Sequence, residues 1–272
     1  MTITGIEQIK NPHYKKMTPI KERQDIYIPN IVNENISRRN GMVYLLTGSG
    51  GSGKSNLLLN EFKDKNMYKK KFDNIYYFCP SASFNSVAKH PFEKHDKVYH
   101  ELNIATLQDI YNELVEKKDE ATKKPEPKEK SPFGEEEEHE EKTDESDDEK
   151  EIEYSCIILD DFADQLKNIE IQKFLNKFII KARHLCVSFI ITLQAYSYCP
   201  KILRKQITYI SIFKPKNVEE WNNIAEEVLN MNKKDALILY DYVFDKNYNH
   251  LDIDTTNNNL YKNFDLLKLK QT

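Results

Sequence analysis

Short apolar runs alternate along the chain with stretches whose apolar residues recur every three to four positions. The run at 42–47 reads as a buried strand, and the residues from 54 to 66 read as a helix. A second strand follows at 74–79 and is closed by Pro80. Residues 81–100 are loop-like, with a short strand near Val98, and Leu107, Ile110, Tyr111, Leu114 and Val115 fall at helical spacing. Further strands are expected at 154–160, 187–193 and 207–213, and a strand-like piece at 248–253. Between the first two of these, Ile171, Phe174, Leu175, Phe178, Ile179 and Ala182 define one apolar side of a helix, with Lys173, Lys177 and Lys181 on the other. Two more helices are expected, at about 217–229 and 234–244. Such alternation predicts an α/β fold, a mainly parallel sheet with helices on both faces.

Glycine placement adds chemistry to this frame. The chain holds seven glycines, and four of them fall between Gly48 and Gly53, directly before Lys54 and Ser55. The stretch Gly48, Ser49, Gly50, Gly51, Ser52, Gly53, Lys54, Ser55 satisfies G-x-x-x-x-G-K-[ST], the phosphate-cradling loop of P-loop NTPases. It lies between a strand and a helix, which places a helix N-terminus against phosphates. Lys54 is then expected on the β- and γ-phosphates of ATP, and the Ser55 hydroxyl on Mg²⁺.

Downstream, the apolar run 154–160 ends in Asp160 and Asp161. Ligands bind at the carboxyl ends of parallel strands, so Asp160 is expected to hold the Mg²⁺ and Asp161 to orient or deprotonate the attacking water. Gln194 ends the next strand and is expected to face Asp161, either sensing the γ-phosphate or capping the strand. Arg183 and Arg204 have two readings: a finger reaching a neighbouring subunit's nucleotide, or a surface arginine that closes a helix.

Charge is unevenly spread. The net charge is −4, yet residues 117–151 carry 16 acidic against 8 basic residues, which leaves +4 for the remainder. That segment has three prolines and almost no apolar residues, so it is expected to be a disordered insertion in an ATPase domain spanning 41–272. It is either a plain solvated loop or a nucleic-acid mimic that shields a basic surface. Residues 1–40 are mixed and basic, a lead-in with a strand at 25–28. Four cysteines without C-x-x-C spacing read as buried thiols of a reducing compartment, and no run is long enough for a membrane span.

These residues resemble the viral DNA-packaging ATPases of the FtsK-HerA superfamily, in the version found in poxviruses, other nucleocytoplasmic large DNA viruses and virophages. The resemblance rests on Gly48 to Ser55, on the strand ending in Asp160 and Asp161, and on the order Arg183, His184, Gln194, Tyr196, Pro200, Arg204 through Asn217. It implies a RecA-like (ASCE) ATPase that forms a homo-oligomeric ring and drives double-stranded DNA, without reading its sequence, into a capsid, docking on capsid or portal components. It implies Gln194 as sensor and Arg204 or Arg183 as the finger in trans. It also implies a location in the host cytoplasm, at the viral factory, and in the virion. Asp161 departs from the pattern, since many members carry Glu there, one methylene longer. Two other functions remain open: a P-loop kinase, for which no lid-like arginine cluster is visible, and a nucleotide-gated scaffold in which Asp161 and Gln194 do not catalyse.

Overall fold

The computed structural model describes residues 28–88, 90–122 and 152–269. Its elements run in chain order as follows. Strand β1 (Val43–Thr47) leads into helix α1 (Lys54–Glu61), β2 (Asn74–Phe78), the single-turn helix α2 (Ser81–Asn85), β3 (Val98–Tyr99) and the long helix α3 (Ile104–Thr122). Then come β4 (Ser155–Asp160), α4 (Ile169–Lys181), β5 (Val187–Leu193), the short α5 (Lys201–Arg204) and β6 (Tyr209–Phe213). The chain closes with α6 (Val218–Ile224), α7 (Lys233–Val243), β7 (His250–Asp254), β8 (Asn259–Lys262) and β9 (Asp265–Leu267).

The nine strands of the described residues form one sheet in the order β3-β2-β4-β5-β1-β6-β7-β8-β9. Pairing is parallel from β3 to β6 and antiparallel from β6 onward. The centre of the sheet is buried on both sides, which is why its strands read as continuous apolar runs. Alternate residues divide between the two faces as the pleat requires. Val43, Leu45, Ile157, Leu159, Phe189 and Ile191 pack with α3, α4, α6 and α7. Tyr44, Leu46, Tyr77, Ile158, Ile190 and Tyr209 pack with α1 and with Ile28, Ile31 and Ile36 of the N-terminal lead-in. Phe178 anchors α4, with its ring 5.1 Å and edge-on from both Phe189 and Tyr111.

Local chemistry fixes the helix ends. Asn168 accepts hydrogen bonds from the N–H groups of Glu170 and Ile171 and so starts α4. Asn217 and Asn232 cap α6 and α7 in the same way. Several elements depart from the expected bounds. Helix α1 ends at Glu61, five residues early, because Phe62 and Phe72 fold back onto Tyr68 instead of continuing the turn. The helix expected over 217–229 changes after Ile224 into a π-helical turn over Ala225–Leu229. Helix α3 runs to Thr122, so the first residues of the expected acidic insertion are helical, and Lys117 pairs with both Glu113 and Glu153. The rest of that insertion, and all of the strand expected at 25–28 except Ile28, lie outside the described residues. Cys79, Cys156, Cys186 and Cys199 are buried free thiols. Among the described residues, no helix is long and apolar enough to cross a membrane.

Candidate active site

The glycine loop leaves the carboxyl end of β1 and turns into α1. Gly53 caps that helix with φ 109°, a conformation that a Cβ would strain. At Gly48 a Cβ would stand 2.6 Å from the Phe213 Cβ, so only glycine lets the loop pass beneath β6. The Gly48 N–H donates to the Leu193 carbonyl of β5, and the Ser52 N–H to the Ser49 carbonyl. Lys54 is buried, and its ammonium donates to the carbonyls of Gly48 (2.6 Å) and Ser49 (3.0 Å). Burial lowers the Lys54 pKa, while the charges of Asp161 and Asp160 pull it upward. In the register Thr47 lies opposite Leu193 and Asp160 opposite Thr192, so the loop and the acid pair share one edge of the sheet. Among the described residues, the buried hydroxyls of Thr47 and Ser52 have no hydrogen-bond partner. Ser55 is exposed at the start of α1.

Asp160 ends β4 and is clamped from both neighbouring strands. On one side the Tyr77 hydroxyl of β2 donates to its Oδ2 at 2.8 Å. On the other the Thr192 hydroxyl of β5, opposite Asp160 in the register, donates to its Oδ1. The Cys79 thiol lies 3.9 Å from the same carboxylate; burial, reinforced by the Asp160 charge, pushes it up to about 12, so it remains a neutral donor. Burial and that same charge also raise the Tyr77 phenol. Asp161 follows in the left-handed region (φ 63°), which swings its carboxylate away from the line of the strand. Its N–H donates to Thr192 Oγ1 at 3.1 Å, and its Oδ1 accepts from Gln194 Nε2 at 3.1 Å. The expected juxtaposition of Gln194 and Asp161 is thus present. Tyr77 and Thr192 were missed by sequence reasoning. Thr192 had a signal, a hydroxyl inside an apolar strand, whereas Tyr77 looks like any strand tyrosine.

Neither arginine joins this group. Arg183 follows α4 at the far end of β1, where its backbone would sit 2.6 Å from a Cβ on Gly41. Arg204 is engaged within its own chain, donating to the carbonyls of Cys199 and Ser197 and to Glu227 (2.8 Å), with its guanidinium 4.5 Å above the Tyr196 ring. Burial opposes ionisation of Glu227, but the Arg204 hydrogen bond and charge hold its carboxyl below the ordinary value.

A buried polar chain runs beneath the loop helix. Glu61, the last residue of α1, accepts from the Tyr44 hydroxyl (3.0 Å), which also meets Ser211 of β6 (2.8 Å). Ser211 donates to Asp252 of β7, whose carboxylate also meets His250 Nδ1 at 2.7 Å. Burial raises the Glu61 pKa well above the ordinary carboxyl value; the Tyr44 hydrogen bond opposes this and the Asp252 charge adds to it. The chain ties α1 to three strands, so the helix behind the loop is fixed to the sheet.

A glycine-lysine loop on the central strand, with the acid pair two strands away and a polar residue ending the strand between, defines a P-loop ATPase of the RecA-like kind. A family profile described as "Poxvirus A32 protein" matches residues 33–267, and the chain belongs to that family. Comparison with curated protein sequences finds no match. Among solved structures, the fold is similar to B204, the DNA-packaging ATPase from Sulfolobus turreted icosahedral virus, with TM-score 0.54 and 15% identity over 82% of this chain and 96% of that one. It is also similar to the genome packaging NTPase B204 from Sulfolobus turreted icosahedral virus 2 in complex with sulfate, with TM-score 0.50 and 14% identity over 86% of this chain and all of that one. At these identities the likeness concerns the fold.

Proposed function

We propose that this chain is a motor that hydrolyses ATP to drive double-stranded DNA into a viral capsid. The observation that carries the reading is the meeting of the loop, Asp160, Asp161 and Gln194 at one sheet edge, in a chain of the poxvirus A32 family. Gly48 to Ser55 cradle the triphosphate, and the buried hydroxyls of Thr47 and Ser52 offer donors beside it. Asp161, held by Gln194, is placed to orient or take a proton from the attacking water. Lys54 stabilises charge on the transferred phosphoryl group.

Ser55 and Asp160 would hold Mg²⁺. Their hydroxyl and carboxylate oxygens are the hard donors that Mg²⁺ takes, and such sites rely on one or two side chains plus substrate phosphates. Bound there, Mg²⁺ would neutralise charge developing on the phosphates.

The DNA-facing side we assign to α4 and α5, which pack side by side. Lys173, Lys177 and Lys181 are exposed along α4, as are Lys201 of α5 and Lys205 just after it. A pore lined by these groups would grip the phosphate backbone without reading bases, so binding should weaken steeply with salt. The working form is a homo-oligomeric ring docked on capsid or portal components, in the host cytoplasm at the viral factory and in the virion. Within it Arg183 or Arg204 supplies the trans-acting charge; for Arg204 this means exchanging its three intrachain hydrogen bonds for a neighbour's phosphate. The test is phosphate release with and without long duplex DNA. The motor gives DNA-stimulated turnover; a kinase would respond to a small acceptor instead, and a scaffold would show almost no turnover.

A further inference from the structure

The loop strand β1 has β5 on one side and β6 on the other. Asp160, Asp161 and Gln194 all lie on the β4–β5 side, so the reacting end of a triphosphate belongs there. The nucleoside end must leave toward β6 and β7. On that side the outer wall of the loop continues into a cleft of about 380 Å³, lined among others by Ser49, Ser52, Phe213, Lys216, Lys246 and Tyr248.

Tyr248 is the feature that gives this cleft a use. It is a large aromatic residue left 70% exposed, in the turn that enters β7. Its ring packs on the phosphate loop itself, since a Cβ on Gly53 would stand 3.3 Å from Tyr248 Cδ1. Its backbone is held at φ 67°, a conformation a bulky residue seldom adopts and one that persists where surrounding structure enforces it. The floor is rigid: Phe213 meets the His250 ring at 5.2 Å, His250 meets Phe264 at 5.1 Å, and Asp252 anchors His250. Lys216 and Lys246 bring positive charge to the rim. An exposed π face next to a phosphate loop, flanked by lysines, suits a base joined to phosphates.

We propose that Tyr248 forms the nucleoside subsite of this ATPase, stacking on the base of the bound nucleotide, with Lys216 and Lys246 supporting the phosphate nearest the ribose. This rests on the reading above that Gly48 to Ser55 hold the triphosphate. The test compares wild type, Tyr248→Ala, Tyr248→Phe and Lys54→Ala by calorimetric titration with MgATP and, separately, with magnesium tripolyphosphate, which has no base. Tyr248→Ala should bind MgATP about tenfold more weakly, as loss of one stacked base implies, and tripolyphosphate unchanged. Tyr248→Phe should bind MgATP as wild type does. The subsite is overturned if Tyr248→Ala keeps full MgATP affinity, or loses both ligands in equal proportion. A Lys54→Ala protein that binds tripolyphosphate undiminished would overturn the loop assignment, and the subsite with it.

Discussion

Replacing Thr192 by valine keeps the shape of the side chain and removes one oxygen. That oxygen has two partners in a site that is 1% exposed: it donates to the Asp160 carboxylate and accepts from the Asp161 N–H. A hydrogen bond to a charged group contributes about 1.5–3 kcal/mol, and leaving a buried N–H unpaired costs about 1–3 kcal/mol. Taking the lower part of each range, because Asp161 is only partly buried, Thr192→Val should destabilise the domain by about 3 kcal/mol. At this chain length that lowers Tm by roughly 6–12 °C. Thr192→Ser keeps the oxygen and loses one buried methyl, about 1 kcal/mol, so the two variants should differ by about 2 kcal/mol. Thermal unfolding followed by circular dichroism measures this. Phosphate release on the same samples measures the functional side, where loss of a residue that orients the carboxylate proposed to hold Mg²⁺ should slow hydrolysis roughly 10–100-fold. If the valine variant melts with the serine variant and hydrolyses ATP at the wild-type rate, Thr192 does not position Asp160.

Two further outcomes follow from the site and its buried surroundings. Asp161→Asn should lower turnover by about 10²–10⁴-fold while ATP binding persists, as the role proposed for it, acting on the water and not on the nucleotide, requires; parallel loss of binding and turnover would refute that role. Glu61 has a folded pKa raised by burial above its unfolded value, so the native state binds the extra proton. Its stabilising contribution is complete below about pH 4.5 and is lost as pH rises toward the folded value, with a slope of at most about 1.4 kcal/mol per pH unit. Glu61→Gln removes the titration, so denaturant melts from pH 4.5 to 8 should decline less for the variant; two superimposable profiles would refute the reading.

The site was legible in the sequence where a single short segment carries the whole requirement. Four glycines before Lys54 and Ser55 specify the loop because its backbone must enter conformations other residues resist. The strand ending in Asp160 and Asp161 was legible because burial on both faces forces an unbroken apolar run up to the sheet edge. Gln194 was placed correctly because one crossover helix puts successive parallel strands side by side. Strands β8 and β9 were not legible. They are only four and three residues long, and β9, at the sheet edge, buries none of its side chains, so the apolar signal is too short to read.

The sequence by itself determined the alternation of strands and helices, the phosphate loop, and the strand that ends in an acid pair, since each follows from local spacing. Tertiary structure alone decided the partners. Tyr77 reaches Asp160 across 83 positions of chain, and Glu61 shares a buried network with Asp252. Arg204 is spent on Glu227 and two carbonyls, although its sequence context suits a free finger equally well. The physical reason is common to all three: a side chain's hydrogen-bond partners depend on which strands and helices become neighbours. That order is set by packing the two faces of the whole sheet, and no local stretch of residues contains it.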